Sequence, residues 1–217
     1  MRSAILLLFA AFNIFAQKQN AEDILNKVIN KFEQVEDYEV DLTISADLQM
    51  VKMPDMKLKV FFKQPDKLKI SSEGFAMVPK DGVNLNPLKF LKSEYSAVYV
   101  KNEKDEEEKI NLDVIKIIPL SDTADYILST VWIDTENYLV RKLETVTKRG
   151  VNVSSKFYYN NTAYALPSKV VVSFNQSGEV KPEQDEEKRF RQSLKGVVTL
   201  TYSGYKINQG LKDEFFK

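Results

Sequence analysis

Residues 37–70 read Asp37-Tyr38-Glu39-Val40-Asp41-Leu42-Thr43-Ile44-Ser45-Ala46-Asp47-Leu48-Gln49-Met50-Val51-Lys52-Met53-Pro54-Asp55-Met56-Lys57-Leu58-Lys59-Val60-Phe61-Phe62-Lys63-Gln64-Pro65-Asp66-Lys67-Leu68-Lys69-Ile70. From Tyr38 to Met50 every even position is apolar or aromatic and every odd one polar, the period of a strand with one oily and one wet face. After Met53-Pro54-Asp55 the phase resumes with Met56, Leu58, Val60 and Phe62 against Lys57, Lys59 and Lys63. After Gln64-Pro65-Asp66 it resumes again with Leu68 and Ile70. Three successive antiparallel strands therefore present one apolar surface, and something must cover it.

Working outward towards the amino terminus, Ala21 to Asp37 has Ile24, Val28, Phe32 and Val35 at helical spacing, widened by Leu25 and Ile29, with charged and amide side chains on the other faces. Asn20 is the expected N-cap, with Glu22 and Asp23 in the first turn, where the helix dipole favours carboxylates. The expectation is a helix that packs its one apolar stripe on the sheet. Before it, Met1-Arg2, the apolar run Ala4 to Phe12 and the small Ala16 ahead of Gln17 are expected to form a secretion signal, residues 1–16, cleaved before Gln17. The run is well short of the roughly 20 residues of a spanning helix. No Cys follows it to carry a lipid.

Beyond Ile70 the alternation stops. Gly74-Phe75-Ala76-Met77-Val78-Pro79 and Asn86-Pro87-Leu88-Lys89-Phe90-Leu91 mix turn residues with apolar ones, and Asn86-Pro87 suits the start of a short helix. This segment is expected as a lid over the concave side of the sheet. Strand patterns then return at Tyr95–Lys101, Lys109–Leu120, Ile127–Thr135 and, through the turn Asp134–Asn137, up to Glu144. They continue at Val153–Tyr159, Leu166–Phe174 and Val197–Tyr202, and Tyr205 to Phe216 closes the chain. The charge runs 102–108 and 181–191 lack the Asp/Asn/Gly spacing of a calcium loop and are expected as solvated loops. The total is a mainly β chain of about 10–11 strands and a few helical pieces, one domain over residues 17–217. A twisted sheet of that size tends to curl.

Composition narrows the chemistry. The chain has 31 Lys+Arg and 31 Asp+Glu, so no basic field attracts nucleic acid. It has no Cys and no His, which removes thiolate nucleophiles, Cys-ligated metals and the commonest general base. Carboxylate, Lys, Tyr and Ser chemistry stays open. Nothing in the residues calls for a cofactor or a metal.

The order of a secretion signal, one amphipathic helix, Phe62-Lys63-Gln64-Pro65-Asp66-Lys67-Leu68-Lys69-Ile70, a central Trp132-Ile133-Asp134 hairpin and a closing Tyr205-x-x-Asn208-x-Gly210-Leu211-x-Asp213-x-x-Phe216 resembles the LolA/LolB-like periplasmic outer-membrane lipoprotein carriers. The resemblance spans nearly the whole mature chain. It implies an unclosed β half-barrel covered by an N-terminal helix and a short lid helix, an apolar cavity for lipoprotein acyl chains or other lipids, and membrane-associated donor and acceptor proteins as partners. It implies no chemical step, and so no catalytic residues. The expected lining is Leu42, Ile44, Leu48, Met50, Leu58, Val60 and Phe62 on the sheet, with Phe75, Met77, Phe90 and Leu91 on the lid. For each of these, ordinary core packing is the competing expectation. The family's lid is thought to be latched by an Arg on an early strand, and Asp37 to Ile70 contains only Lys. The alternative reading is a periplasmic sensor or interaction module on the same fold that binds a protein partner. A carboxylate-based hydrolase ranks last.

Overall fold

The helix α1 spans Ala21–Glu33 and starts where its cap dictates: the Asn20 side chain accepts the Glu22 N–H at 3.1 Å. Ile24, Leu25, Val28 and Phe32 face inward and are buried. The helix is shorter than its apolar pattern suggests, because Val35 already belongs to the turn into the sheet and Asp37 to the first strand. The computed structural model describes residues 20–48, 51–52, 54–72, 94–148, 150–176 and 196–216. The expected signal (1–16), Met50, the lid segment with Phe75, Met77, Phe90 and Leu91, and the 181–191 loop lie outside the described residues.

Among the described residues eleven strands form one sheet: β1 (Asp37–Leu48), β2 (Val51–Lys52), β3 (Met56–Lys63), β4 (Lys67–Ser72), β5 (Tyr95–Lys104), β6 (Asn111–Pro119), β7 (Tyr126–Asp134), β8 (Val140–Thr147), β9 (Val151–Tyr158), β10 (Lys169–Gln176) and β11 (Gly196–Ile207). The order is β4-β3-β1-β11-β10-β9-β8-β7-β6-β5, with β2 paired to β1, and every pairing is antiparallel. Strands β4 and β5 are the two edges and do not pair, so the barrel is not closed. Consecutive strands pair from β5 through to β11, and the last strand, β11, also returns to lie beside β1.

Register carries the alternation of the founding stretch across the sheet. Leu42 faces Leu58 on one side and Tyr202 on the other, and Ile44 faces Met56 and Leu200. Leu200 in turn faces Val170, and Val170 faces Phe157. All of these lie on one concave face against α1, where Phe32 and Phe62 rings meet at 5.9 Å. The opposite face carries the charges, such as Lys59 bridging Glu39 at 3.1 Å and Asp41 at 2.8 Å. Two expected boundaries move. Strand β6 begins at Asn111 because Lys109 takes a positive φ of 57° in the preceding turn, and β11 runs on to Ile207 past Gly204 at φ 67°.

Candidate binding site

The concave face is buried unevenly along its strands. On β1, Tyr38, Val40, Leu42 and Ile44 are buried, while Ala46 and Leu48, two and four residues further on, are partly exposed. The same step occurs on β11 between Leu200 and Val198, on β10 between Val170 and Val172, and on β9 between Phe157 and Ser155. Register joins the exposed positions into two rows, Ala46–Val198–Val172–Ser155–Leu143 and Leu48–Gly196–Phe174–Val153–Thr145. On β6 and β7 burial reaches further, to Ile117 and Ser129. There the first turn of α1 leans on β5: partial burial, and then the Glu22 charge, raise the Tyr95 phenol above its usual pKa. What remains is a half-exposed, mostly apolar strip over β1, β11, β10, β9 and β8.

At the end of the strip the two backbones of β1 and β11 come very close. A Cβ on Gly196 would lie 2.5 Å from the Asp47 carbonyl oxygen and 2.7 Å from Leu48 Cδ2, so no larger residue fits without movement.

The sequence-predicted lining divides along this gradient. Leu42, Ile44, Leu58, Val60 and Phe62 are buried in the core with α1, and Leu48 lies in the half-exposed strip. Val153, Val172, Phe174 and Val198 were not singled out by the sequence. Val170-Val171-Val172 is an unbroken apolar run, so periodicity does not say which residue turns inward.

The three motifs that carry the family resemblance act in the other direction, as locks at the covered end. The buried Asp37 carboxylate accepts the N–H groups of Gln209 (2.9 Å), Gly210 (2.9 Å) and Leu211 (3.1 Å). Asn208, at φ 54°, accepts the Glu36 N–H at 2.8 Å and donates to the Gln34 carbonyl at 3.0 Å, clasping the turn between α1 and β1. The Tyr205 hydroxyl donates to the Pro167 carbonyl at 2.8 Å. Asp213, which opens a short 3₁₀ turn (Asp213–Phe216), pairs with Lys63 at 2.7 Å and Lys67 at 2.6 Å, and Phe215 packs edge-on to Phe61. Those two lysines hold the Asp213 carboxyl down at about 2. The Gln64–Pro65 peptide of the second motif is cis.

Trp132-Ile133-Asp134 ends β7 in the same manner. Asp134 is buried and accepts the N–H groups of Glu136 and Asn137, the Asn137 amide and Arg141 Nη2 at 2.9 Å. Burial pushes this carboxyl up, but the donors from Asn137, Arg141 and Glu136 outweigh it and hold its pKa below the usual value. Arg141 also pairs with Glu108 at 3.1 Å, pinning the acidic 105–110 turn. Beside it, on the outer face, is a cavity of about 300 Å³ lined by Trp132, Lys142, Lys156, Tyr158 and the 103–108 chain. Many of its polar groups are already engaged within the chain: Lys142 lies over the Trp132 ring, and the indole N–H donates to Glu103 at 2.6 Å.

For chemistry, the third buried carboxylate, Asp113, is also committed, to the Tyr99 hydroxyl at 3.2 Å and the Asn102 amide at 3.1 Å. Among the described residues no group of His, Cys, Asp and Glu could hold a metal, and no helix is long and apolar enough to cross a membrane. The feature most open to a ligand is the apolar strip.

An unclosed antiparallel half-barrel with a helix against its concave face is a recognised architecture. It is the LolA-like fold, as comparison with solved structures shows. A domain from Vibrio parahaemolyticus, assigned to outer membrane lipoprotein sorting, has a TM-score of 0.56 at 13% identity, covering 91% of this chain and 97% of that one. A LolA superfamily protein from Nitrosomonas europaea has a TM-score of 0.56 at 13% identity over 92% and 98%. A DUF1329 family protein from Desulfovibrio piger has a TM-score of 0.58 at 11% identity over 91% and 95%. No family model and no curated protein matches the chain by sequence.

Proposed function

We propose that this chain is a single-domain periplasmic carrier, exported by residues 1–16, that shelters lipoprotein acyl chains or other lipid tails on its concave face without a chemical step. The observation that supports this reading is the half-exposed apolar strip, which continues the buried core along the same face and the same strands. Ala46, Leu48, Val153, Val172, Phe174 and Val198 form its wall. Leu42, Ile44, Leu58, Val60 and Phe62 form the floor behind it, and this reading extends the proposed lining to Met50 of the sheet segment and Phe75, Met77, Phe90 and Leu91 of the lid segment, which lie outside the described residues.

The energetics need no polar recognition. Each methylene withdrawn from water contributes about 0.8 kcal/mol, so partial burial of one tail gives useful affinity. Release then requires a competing apolar acceptor, which is the role of membrane-associated donor and acceptor partners. A fluorescent fatty-acyl probe titrated into the purified protein tests this. Binding should saturate, and Val172→Asp combined with Val198→Asp should weaken it at least about tenfold by placing charge in the strip. No saturable binding, or equal affinity in the double variant, would sink the reading.

A further inference from the structure

The outer face of the sheet is not uniform. Over β1, β3 and β11 it is a lattice of ion pairs, such as Lys59 and Lys206 with Glu39. Over β5, β6 and β7 it carries Val98 (50% exposed), Val100 (44%), Ile118 (44%) and Ile127 (54%), with Leu120 (62%) just past β6. Register draws them together: Ser96 is opposite Ile118, so Val98 and Ile118 are diagonal neighbours, and Leu128 beyond them pairs with Val146 on the same face. Bulges shape the patch. The register of β5 shifts around Val100, leaving it unpaired, and that of β7 shifts around Ile127, which strict alternation from the buried Ser129 would send into the core.

We propose that this patch docks the protein onto a lipid bilayer, its side chains entering the boundary between headgroups and acyl chains. The inference rests on the carrier reading and names the surface from which that carrier works. Three observations favour a bilayer. Five half-exposed side chains make a patch of a few hundred Å², short of the ~800 Å² per partner that a stable protein interface buries. The charges around it are mixed in sign: Lys116 and Glu144 lie opposite Thr130 from either side, and Lys148 Nζ donates to the Asp122 carbonyl, so no field selects an acidic or a basic partner. Leu120 and Ile127 lie at the same strand ends as the half-exposed concave strip, so docking there brings the rim of the strip to the bilayer.

The test is flotation of the purified protein with phosphatidylcholine vesicles, with probe binding measured in parallel. The protein should float with these uncharged vesicles to the same extent at low and high salt. Ile118→Ser, Leu120→Ser and Ile127→Ser together should reduce flotation about tenfold and leave acyl-probe affinity unchanged. Val98→Thr with Val100→Thr, which keeps the branched shape that strands favour, should reduce it less and guards against misfolding. No flotation would overturn the proposal, as would binding only to anionic vesicles with loss in salt. A dimer that the triple variant dissolves would make a second copy the occupant, and a partner strand captured along β5 would make it a protein. Vesicle binding without probe binding would leave this docking surface standing and remove the carrier reading instead.

Discussion

The two ends of the concave face are made of the same strands and nearly the same residue types, yet one is sealed and the other is not. At the covered end Val40, Leu42, Val60 and Phe62 share one buried cluster with the inward face of α1, and the chain's final segment is tied to the turn between α1 and β1 through Asp37 and Asn208. At the far end Leu48, Val153, Val172, Phe174 and Val198 continue the same apolar rows but keep part of their surface open. Hydrophobicity does not distinguish them; what distinguishes them is whether polar groups nearby hold a covering element in place. A side chain at the covered end contributes to stability, and one at the far end is available to a ligand.

The largest expected effect comes from the lock. Asp37→Ala leaves three backbone N–H groups without their buried acceptor, and should cost about 4 kcal/mol in denaturant unfolding. If the cost were below about 1 kcal/mol, the covered end would not depend on its lock. Next is a matched pair on one strand. Leu42→Ala should lose about 3 kcal/mol and Leu48→Ala about 1 kcal/mol, because only the first leaves a sealed cavity. Probe affinity should rank the two the other way, falling more for Leu48→Ala. Equal stability losses would mean that the gradient has no energetic meaning.

Gly196→Ala probes the seam between β1 and β11 at the far end, where the new methyl meets backbone that cannot turn aside. A loss of about 2 kcal/mol is expected, with faster amide hydrogen exchange at Leu48 than at Leu42. The smallest effect is electrostatic. The Asp213 carboxyl has its folded-state pKa at about 2, below the ordinary 3.8, so its contribution is complete above about pH 4 and is lost as pH falls towards 2. Fluorescence or NMR signals of Phe215 contacts should therefore loosen over that window in the native protein and not in Asp213→Asn, whose contacts should already be loose and flat with pH.

The founding stretch was legible because its alternation is unbroken: the faces of β1 and β3, the capped helix and the turn at Asp134–Asn137 are all as their residues indicate. The curl of the sheet follows from the number of strands, whereas its staying unclosed is what the family resemblance implies. The binding strip was legible only in part. Leu48 stood out by phase, whereas Val172 was hidden in an apolar triplet and Val198 in the pair Val197-Val198, where period two gives no direction. The motif residues carry the resemblance without lining the strip: the polar contacts of Asp134, Asp213 and Tyr205 serve turns and the tail.

The sequence by itself determined the local periods, the helix and its cap, and the exclusion of thiol and imidazole chemistry, because each of these depends on neighbours within a few residues or on composition alone. Only the tertiary structure decided that β11 returns between β1 and β10, that Asp37 receives the chain's last turn, and which end of one continuous oily face stays open. Those outcomes rest on contacts between residues more than a hundred positions apart, and a period of two says which side a residue faces but not what will lie over it.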